Sequence, residues 1–536
     1  MARSARNRKD HREDRPIHGL EVEFKFELGA DDLRVLTRAP AFKALFVEAS
    51  PRRQTLRATY FDTPDLKLSA RGVSLRVRKE SRRHVQCVKA GAGAGGDAST
   101  AGGFARREWQ WPVVGAHFDA ALLKTDAALK ALFKGVAAKK LQPIFSTEIQ
   151  RLSRELVTPG GARVRCDIDR GRILSQGREV PIHEMELELQ SGPVDELFAL
   201  ADTVTAIVPA RLSARTKAHR GFTLFLDQGQ PWSRAAPVVL GKAPRAEDVL
   251  VAAMSQGLQH LIANEDCVLT RSHSEGVHQM RVAMRRMRSL ITTFKKHLPT
   301  GAYEDLAAAL EAAATQLGPA RDWDVFVDEL LPPVQAGLVG VDDGALAALR
   351  KRAENRRREG YRRADRLIAS PEYARLLSDV LVWIGAAPWR GGEGDGALDK
   401  PARTVAAQVL ARRHAHLLKA GKGLKDQSAE QRHRLRIAVK KARYAAEFCQ
   451  PVYTPKKAPP YIQALRALQD ELGHLNDLAT ARRMMDDLIT STRGDKTQIL
   501  AHAAGLVEGW YANAQAERES ELRKAWKTLA KAKVFW

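Results

Sequence analysis

Cysteine is scarce in this chain: 536 residues hold four, Cys87, Cys166, Cys267 and Cys449. None forms a Cys-x-x-Cys pair, which excludes a disulfide framework and a cysteine-built zinc site and fits a reducing cytoplasm. Long apolar runs are missing too. No stretch approaches the roughly 18 apolar residues that cross a bilayer, so a membrane partner is excluded. The first residues, MARSARNRKDHREDR, are charged with no apolar core behind them, and 1–15 read as a disordered basic tail and not a secretory signal. Aromatics make up only 6% of the chain, and no stacking motif or recognition helix stands out, which counts against nucleic acid as a partner. Acidic residues are outnumbered, 63 against 87 Lys and Arg, for a net charge of +24. An excess of that size points to polyanions.

The length suits two to four domains. Between residues 17 and 226 apolar and charged residues alternate in short bursts: Glu21–Glu27, Arg57–Phe61, Ser74–Arg78, Val85–Lys89, Arg106–Trp111, Arg163–Asp169 and His183–Leu189. Period two predicts strands with one apolar and one charged face. The Gly/Ala/Ser-rich stretch 90–103 reads as a hairpin loop, and 120–133 and 194–207 as helices. A linker follows at 229–245. Helical periodicity then runs from 246 to 536, broken by a Gly-rich stretch at 386–401 that separates a unit at 246–385 from one at 402–536. The predicted fold class is α+β in two domains: strands over 16–228, then an all-α domain.

The helical half holds one segment twice. HQMRVAMRRMRSLITTF from His278 aligns with HRLRIAVKKARYAAEF from His433, and Leu317-Gly318-Pro319-Ala320-Arg321-Asp322 aligns with Leu472-Gly473-His474-Leu475-Asn476-Asp477. Both landmarks recur after 155 residues, from 278 to 433 and from 317 to 472, which marks a duplication. His278, Arg281, Arg285 and Arg288 are spaced by three, four and three, as are His433, Arg436, Lys440 and Arg443, so each set lies on one helix stripe. A merely solvated face has no reason to keep that set through duplication. The strips are therefore predicted to bind an anion, with histidine as a ligand whose charge varies near neutral pH. Arg321-Asp322 and Asn476-Asp477 read as structural, orienting the strips through hydrogen bonds.

In the strands, charges of both signs recur in strict phase: Glu21, Glu23 and Lys25; Arg76 and Arg78; Lys89; Arg106 and Glu108; Glu184, Glu186 and Glu188. One solvent-facing charged strand is ordinary; seven are not. Closed into a barrel with these residues inward, they would line a tunnel fit for a polyanion and a cation together. Lys and Arg would grip phosphoryl oxygens, and the glutamates would hold a divalent metal.

The ordered set of Glu21-Val-Glu-Phe-Lys, Tyr60-Phe-Asp-Thr-Pro-Asp, Ser74-Leu-Arg-Val-Arg, Lys89, Arg106-x-Glu108, Arg151, the glutamate strand at Glu184 and Thr216-Lys-Ala-His-Arg-Gly-Phe resembles the CYTH domain of the triphosphate tunnel metalloenzymes. The resemblance implies an eight-stranded antiparallel β-barrel and hydrolysis of a triphosphate with Mg2+ or Mn2+. It implies metal ligation by Glu21, Glu23, Glu186 and Glu188, a catalytic role for Glu21, Glu23 and Lys25, and phosphate binding by Arg57, Arg76, Arg78, Lys89, Arg106, Arg151, Lys217 and Arg220. Three positions depart from the pattern. Thr216 stands for Ser, Phe222 for Tyr, and Arg165 sits where an acidic residue is common; Asp167 or Asp169 on the same strand face could substitute there. The helical half resembles the CHAD domain, which implies that the strips bind inorganic polyphosphate.

Together these expectations describe a cytoplasmic, metal-dependent inorganic triphosphatase associated with polyphosphate granules. The alternatives are a non-catalytic polyphosphate-binding protein and a triphosphatase for thiamine triphosphate or a nucleotide.

Overall fold

A computed structural model describes residues 19–47, 51–81, 83–91, 105–213, 216–227, 231–299, 301, 303–338, 344–390, 396–513 and 515–536. The expected basic tail and most of the expected hairpin loop at 90–103 lie outside these residues. The N-terminal region contains strands β1 (Gly19–Glu27), β2 (Arg52–Asp62), β3 (Val73–Glu80), β4 (Arg83–Gly91), β5 (Ala105–Val113), β6 (Gln142–Val157), β7 (Arg163–Ser175), β8 (Arg178–Ser191) and β9 (Arg211–Leu212). Helices α1 (Ala30–Arg38), α2 (Pro40–Lys43), α3 (Ala127–Leu132), α4 (Val194–Ile207) and α5 (Lys217–Leu226) accompany them. The strands form one antiparallel sheet in the order β5-β4-β3-β2-β6-β7-β8-β1-β9, and β1 also pairs with β5 from Gly19↔Glu108 to Val22↔Ala105.

The period-two pattern sorts residues between two environments. On β1, Phe24 and Phe26 are buried among Leu33 and Leu36 of α1 and Leu197 and Leu200 of α4. The alternate residues Glu23 and Lys25 line a cavity on the opposite face. On β3, Leu75 and Val77 pack with Trp109, Trp111 and Leu129, leaving Arg76 and Arg78 to the cavity. Apolar burial against the surrounding helices thus fixes the register that turns the charges inward.

The Tyr60-Phe-Asp-Thr-Pro-Asp motif is structural in this fold. The wholly buried Asp62 carboxylate accepts from the backbone N–H groups of Thr63, Leu68 and Ser69 at 2.7, 2.9 and 2.8 Å, fixing the turn out of β2.

The C-terminal region is all-helical: α6 (Ala246–Ile262), α7 (Glu265–Leu269), α8 (Glu275–Phe294), α9 (Glu304–Gln316), α10 (Gly318–Asp324), α11 (Leu331–Gly337), α12 (Ala345–Ile368), α13 (Pro371–Ala386), α14 (Ala402–Ala420), α15 (Ala429–Cys449), α16 (Ala458–Thr490), α17 (Asp495–Asn513) and α18 (Gln515–Ala530). The two cationic segments form α8 and α15. One apolar cluster runs across both regions, joining Leu200 and Val204 of α4 to Tyr373 and Leu377 of α13. No helix among the described residues is long and apolar enough to cross a membrane.

Candidate active site

The sheet's charged face encloses a cavity of about 1050 Å³. Nine of the expected site residues line it: Glu23, Lys25, Arg76, Arg78, Lys89, Arg151, Glu186, Glu188 and Lys217. Glu21 and Arg106 lie on β1 and β5, with side chains outside the described residues. Two expectations are corrected. Arg57 is exposed and falls out of phase with Arg52, Gln54, Leu56, Ala58 and Tyr60, the β2 residues that do line the cavity; its acidic neighbour is Glu148 at 3.7 Å. Arg220 is not a wall residue, because its guanidinium is spent on Glu184 at 2.7 Å and on the Pro181 carbonyl.

Lys217 is placed by the local sequence around it. The Thr216 hydroxyl caps α5 by accepting from the His219 N–H at 3.0 Å. Gly221 lets α5 approach β6 closely, since a Cβ there would lie 2.1 Å from the Phe145 ring, and Phe222 packs edge-on against the same ring at 5.1 Å. Lys217, at the start of this helix, places its Nζ 2.8 Å from Asp169 and 2.7 Å from each of Glu184 and Glu186. Arg151 completes the cluster, reaching Asp169 at 2.6 Å, Glu186 at 2.7 Å and Asp167 at 2.5 Å.

Burial disfavours charge on all these groups, but their partners outweigh it. Lys217 and Arg151 are held well above their ordinary values. Asp169 and Glu184 are held below the usual carboxylate range, and Glu186 well below it. Asp169, Glu184 and Glu186 bring carboxylate oxygens within 4.8 Å of one another and so could hold a metal, but a cation there would have to displace Lys217.

A second acidic pair also lines the cavity. Glu23 and Glu188 are cross-strand partners on β1 and β8, and both line the cavity. Burial raises the Glu188 pKa, against the lowering pull of Arg165 and Lys89. Carboxylates placed this way, offering only oxygen, suit Mg2+ or Mn2+. Arg165 ion-pairs with Glu188 and approaches Asp167 at 3.3 Å, so Asp167 faces the cavity but is engaged by arginines.

Other residues lining the cavity suit an anion. Arg76 Nη1 donates to Tyr60 Oη at 3.0 Å, and Lys89 lies 3.3 Å from Glu108. Against the effect of burial, Lys89 and Arg76 hold Glu108 down at about 2. The Nε atoms of Arg76 and Arg78 are buried with no acceptor among the described residues, a costly state that phosphoryl oxygens would relieve. Arg52, Gln54, Glu108 and Gln110 also line the cavity without having been assigned roles; their parity with Tyr60 and Arg106 was the available signal.

In the helical region, strip residues from both repeats come together. Burial, then the charges of Arg321, Arg285, Arg281 and Lys440, push the half-buried His278 down to about 3, so it is neutral at neutral pH and does not titrate there as expected. Burial likewise lowers Arg281, whose Nη1 donates to the Ala314 carbonyl at 2.8 Å. The repeated Leu-Gly landmark has a packing reason in the first copy: a Cβ on Gly318 would lie 2.9 Å from Arg281 Nη1.

The other strip residues vary in environment. Arg285 donates to Tyr444 Oη at 2.9 Å, Arg288 pairs with Glu311 at 2.6 Å and Arg443 with Glu447 at 2.6 Å. His433 is exposed, and Arg436 and Lys440 are half-buried. Arg321, expected to be structural, pairs with Glu329 at 2.9 Å and also adds to the positive field on His278. The side chains of Asn476 and Asp477 lie outside the described residues.

Residues 19–222 match the CYTH domain and residues 252–486 the CHAD domain. The chain is a CYTH domain followed by a CHAD domain. Over 210 residues it is 29% identical to the inorganic triphosphatase of Haemophilus influenzae, covering 39% of this chain and 56% of that protein. The chain thus spans little more than half the length of that relative. Across 97% of its own length it is 26% identical to an uncharacterised protein of Mycobacterium tuberculosis, covering 99% of it. The crystal structure of the CHAD domain from the plant Ricinus communis is similar at 29% identity and a TM-score of 0.50, over 57% of this chain and 98% of that one.

Proposed function

We propose that this CYTH-CHAD protein is a metal-dependent inorganic triphosphatase, hydrolysing tripolyphosphate to diphosphate and phosphate, with a helical domain that binds inorganic polyphosphate. The observation that carries this reading is one cavity lined both by Arg76, Arg78 and Lys89 and by the carboxylates Glu23 and Glu188. The 29% identity of part of the chain to an inorganic triphosphatase supports it. The second pairing of β1, with β5, supports a sheet wrapped around the cavity as a tunnel.

Arg76, Arg78 and Lys89 would hold the phosphate chain by charge-assisted hydrogen bonds. Glu23 and Glu188, with Glu21, would hold Mg2+ or Mn2+, which supplies charge neutralisation on the phosphoryl oxygens. Lys25 lies 3.7 Å from Glu184 and 3.9 Å from Glu186 and keeps the acidic cluster oriented. Water adds to the terminal phosphorus as its bond to the bridging oxygen breaks; the electron pair of that bond leaves with diphosphate, and the proton of the attacking water passes to solvent. Positioning and charge stabilisation of a loose transition state carry the rate.

Phosphate release by the full chain with Mg2+ or Mn2+, from tripolyphosphate, ATP and thiamine triphosphate, tests the reading. Tripolyphosphate should be fastest, and no release from any of the three sinks the enzyme assignment. Glu23→Gln should lower turnover by about 100-fold or more with the melting temperature unchanged.

Two observations favour other readings. The Arg165–Glu188 ion pair favours a non-catalytic polyphosphate binder, which would bind phosphate chains without metal-dependent release. Tyr60 and Phe222 give the cavity an aromatic wall that an organic triphosphate could touch, and faster release from ATP or thiamine triphosphate would select that alternative.

A further inference from the structure

Ser233 and Ala263 line the same cavity as Glu23, Arg76 and Arg151, yet neither belongs to a strand or to α5. Ser233 lies in the connector between the domains, and Ala263 directly follows α6. Both are half-buried, as wall residues should be.

The connector is fastened to the helical domain. The Ser233 N–H donates to Asn264 Oδ1 at 2.9 Å, and its carbonyl accepts from Asn264 Nδ2 at 3.0 Å. His260 Nε2 lies 3.1 Å from the same carbonyl and 2.9 Å from Gln279 Oε1 of α8. A ring nitrogen facing two acceptors carries the proton, so His260 donates and its tautomer is set. Asn264 is wholly buried, which adds to the rigidity of the junction. Beside it Arg211 of β9 reaches Asp266 at 2.9 Å and Glu265 at 3.6 Å on α7, and also ion-pairs with Glu27 at the end of β1. With the shared apolar cluster, these contacts lock the helical domain against the cavity.

We propose that the CHAD domain supplies an end-stop to the tunnel cavity, with Ser233 and Ala263 limiting the length of phosphate chain that fits. This rests on the triphosphatase reading and adds a specificity determinant to it. The preferred ligands are short linear polyphosphates, and long chains are barred from passing this wall.

The test uses the full chain, with tripolyphosphate and tetrapolyphosphate as probes. Calorimetric Kd and phosphate release are measured for the native protein, Ala263→Glu and Ala263→Gln. Ala263→Glu sets a carboxylate in the anion's space and should weaken tripolyphosphate binding about 10-fold or more. Ala263→Gln should weaken it less, and tetrapolyphosphate should suffer more than tripolyphosphate in both variants. If Ala263→Glu does not fold, Ala263→Gln alone decides through the change in the ratio of the two Kd values. Folded variants with native Kd values for both probes overturn the end-stop. A native protein that binds tripolyphosphate without hydrolysing it fails the triphosphatase reading, yet still tests the wall through Kd. Failure of the native protein to bind either probe overturns both.

Discussion

The strand cavity and the helical strip are both cationic, and they carry that charge in opposite ways. In the cavity Lys217 and Arg151 each meet three carboxylates, and Lys217, Arg151, Asp169, Glu184 and Glu186 are driven further into their charged forms. At the strip the cations Arg321, Arg285, Arg281 and Lys440 act on His278, so burial and repulsion act together and hold the ring neutral. The cavity core therefore balances its own charge, and a substrate must compete with existing pairs. Around His278 the field is positive, and an anion there would relieve it. Under the proposed function, the same residue types would serve a selective site in one domain and a general polyanion-binding surface in the other.

The sharpest way to break this contrast is to unbalance the cavity. Lys217→Met leaves Asp169, Glu184 and Glu186 short of a buried counterion, and removing one member of such a network typically costs about 3–5 kcal/mol. Chemical denaturation should show that loss together with lost turnover; a change below about 1 kcal/mol would mean that the cluster is not a coupled unit. The pH dependence has a fixed sign. All three carboxylates are depressed in the folded chain, so their stabilisation is present above the ordinary carboxylate values of 3.8 and 4.5 and lost as pH falls through the lower folded values.

The strip should behave in the opposite sense. Polyphosphate would offset the field of Arg281, Arg285, Arg321 and Lys440 and raise His278 from about 3, so binding should take up a proton and tighten as pH falls toward 5. Calorimetry in buffers of different ionisation enthalpy reads that uptake, and His278→Gln should abolish it. Equal uptake in both proteins would remove His278 from the site.

The junction between the domains gives a smaller effect. Burial pushes Glu265 up to about 8, so the folded chain binds more protons there than the unfolded chain, and stability should decline from about pH 4.5 to 8. Tyr373 donates to its Oε1 at 2.8 Å. Glu265→Gln should flatten that decline in melting temperature, and an unchanged slope would place the proton elsewhere.

Much of this was legible in the sequence because alternation is a strong signal. Seven charged-face segments fall in β1 to β5, β7 and β8, and the helix expected at 194–207 is α4. β6 escaped because Leu152, Ser153, Arg154 and Glu155 blur its period, although Arg151 within it was assigned through the resemblance. Pairing partners were not legible at all. Lys217 and Arg220 read as phosphate ligands through the resemblance, and a sequence does not show which carboxylates a cation meets. Nor does any local pattern report that Lys440 lies near His278, since that depends on how α8 and α15 pack.

Arg57 provides the mildest test, and its value lies in being weak. Parity on β2 puts it on the face opposite Tyr60, with its side chain 69% exposed and Glu148 as its partner. Exposed ion pairs contribute about 0–1 kcal/mol, so Arg57→Ala should shift stability by no more than that and leave tripolyphosphate turnover unchanged. Arg76→Ala, one strand away and facing inward, should cut turnover by about 100-fold. If the two variants lost turnover equally, β2 would have to present its other face to the substrate.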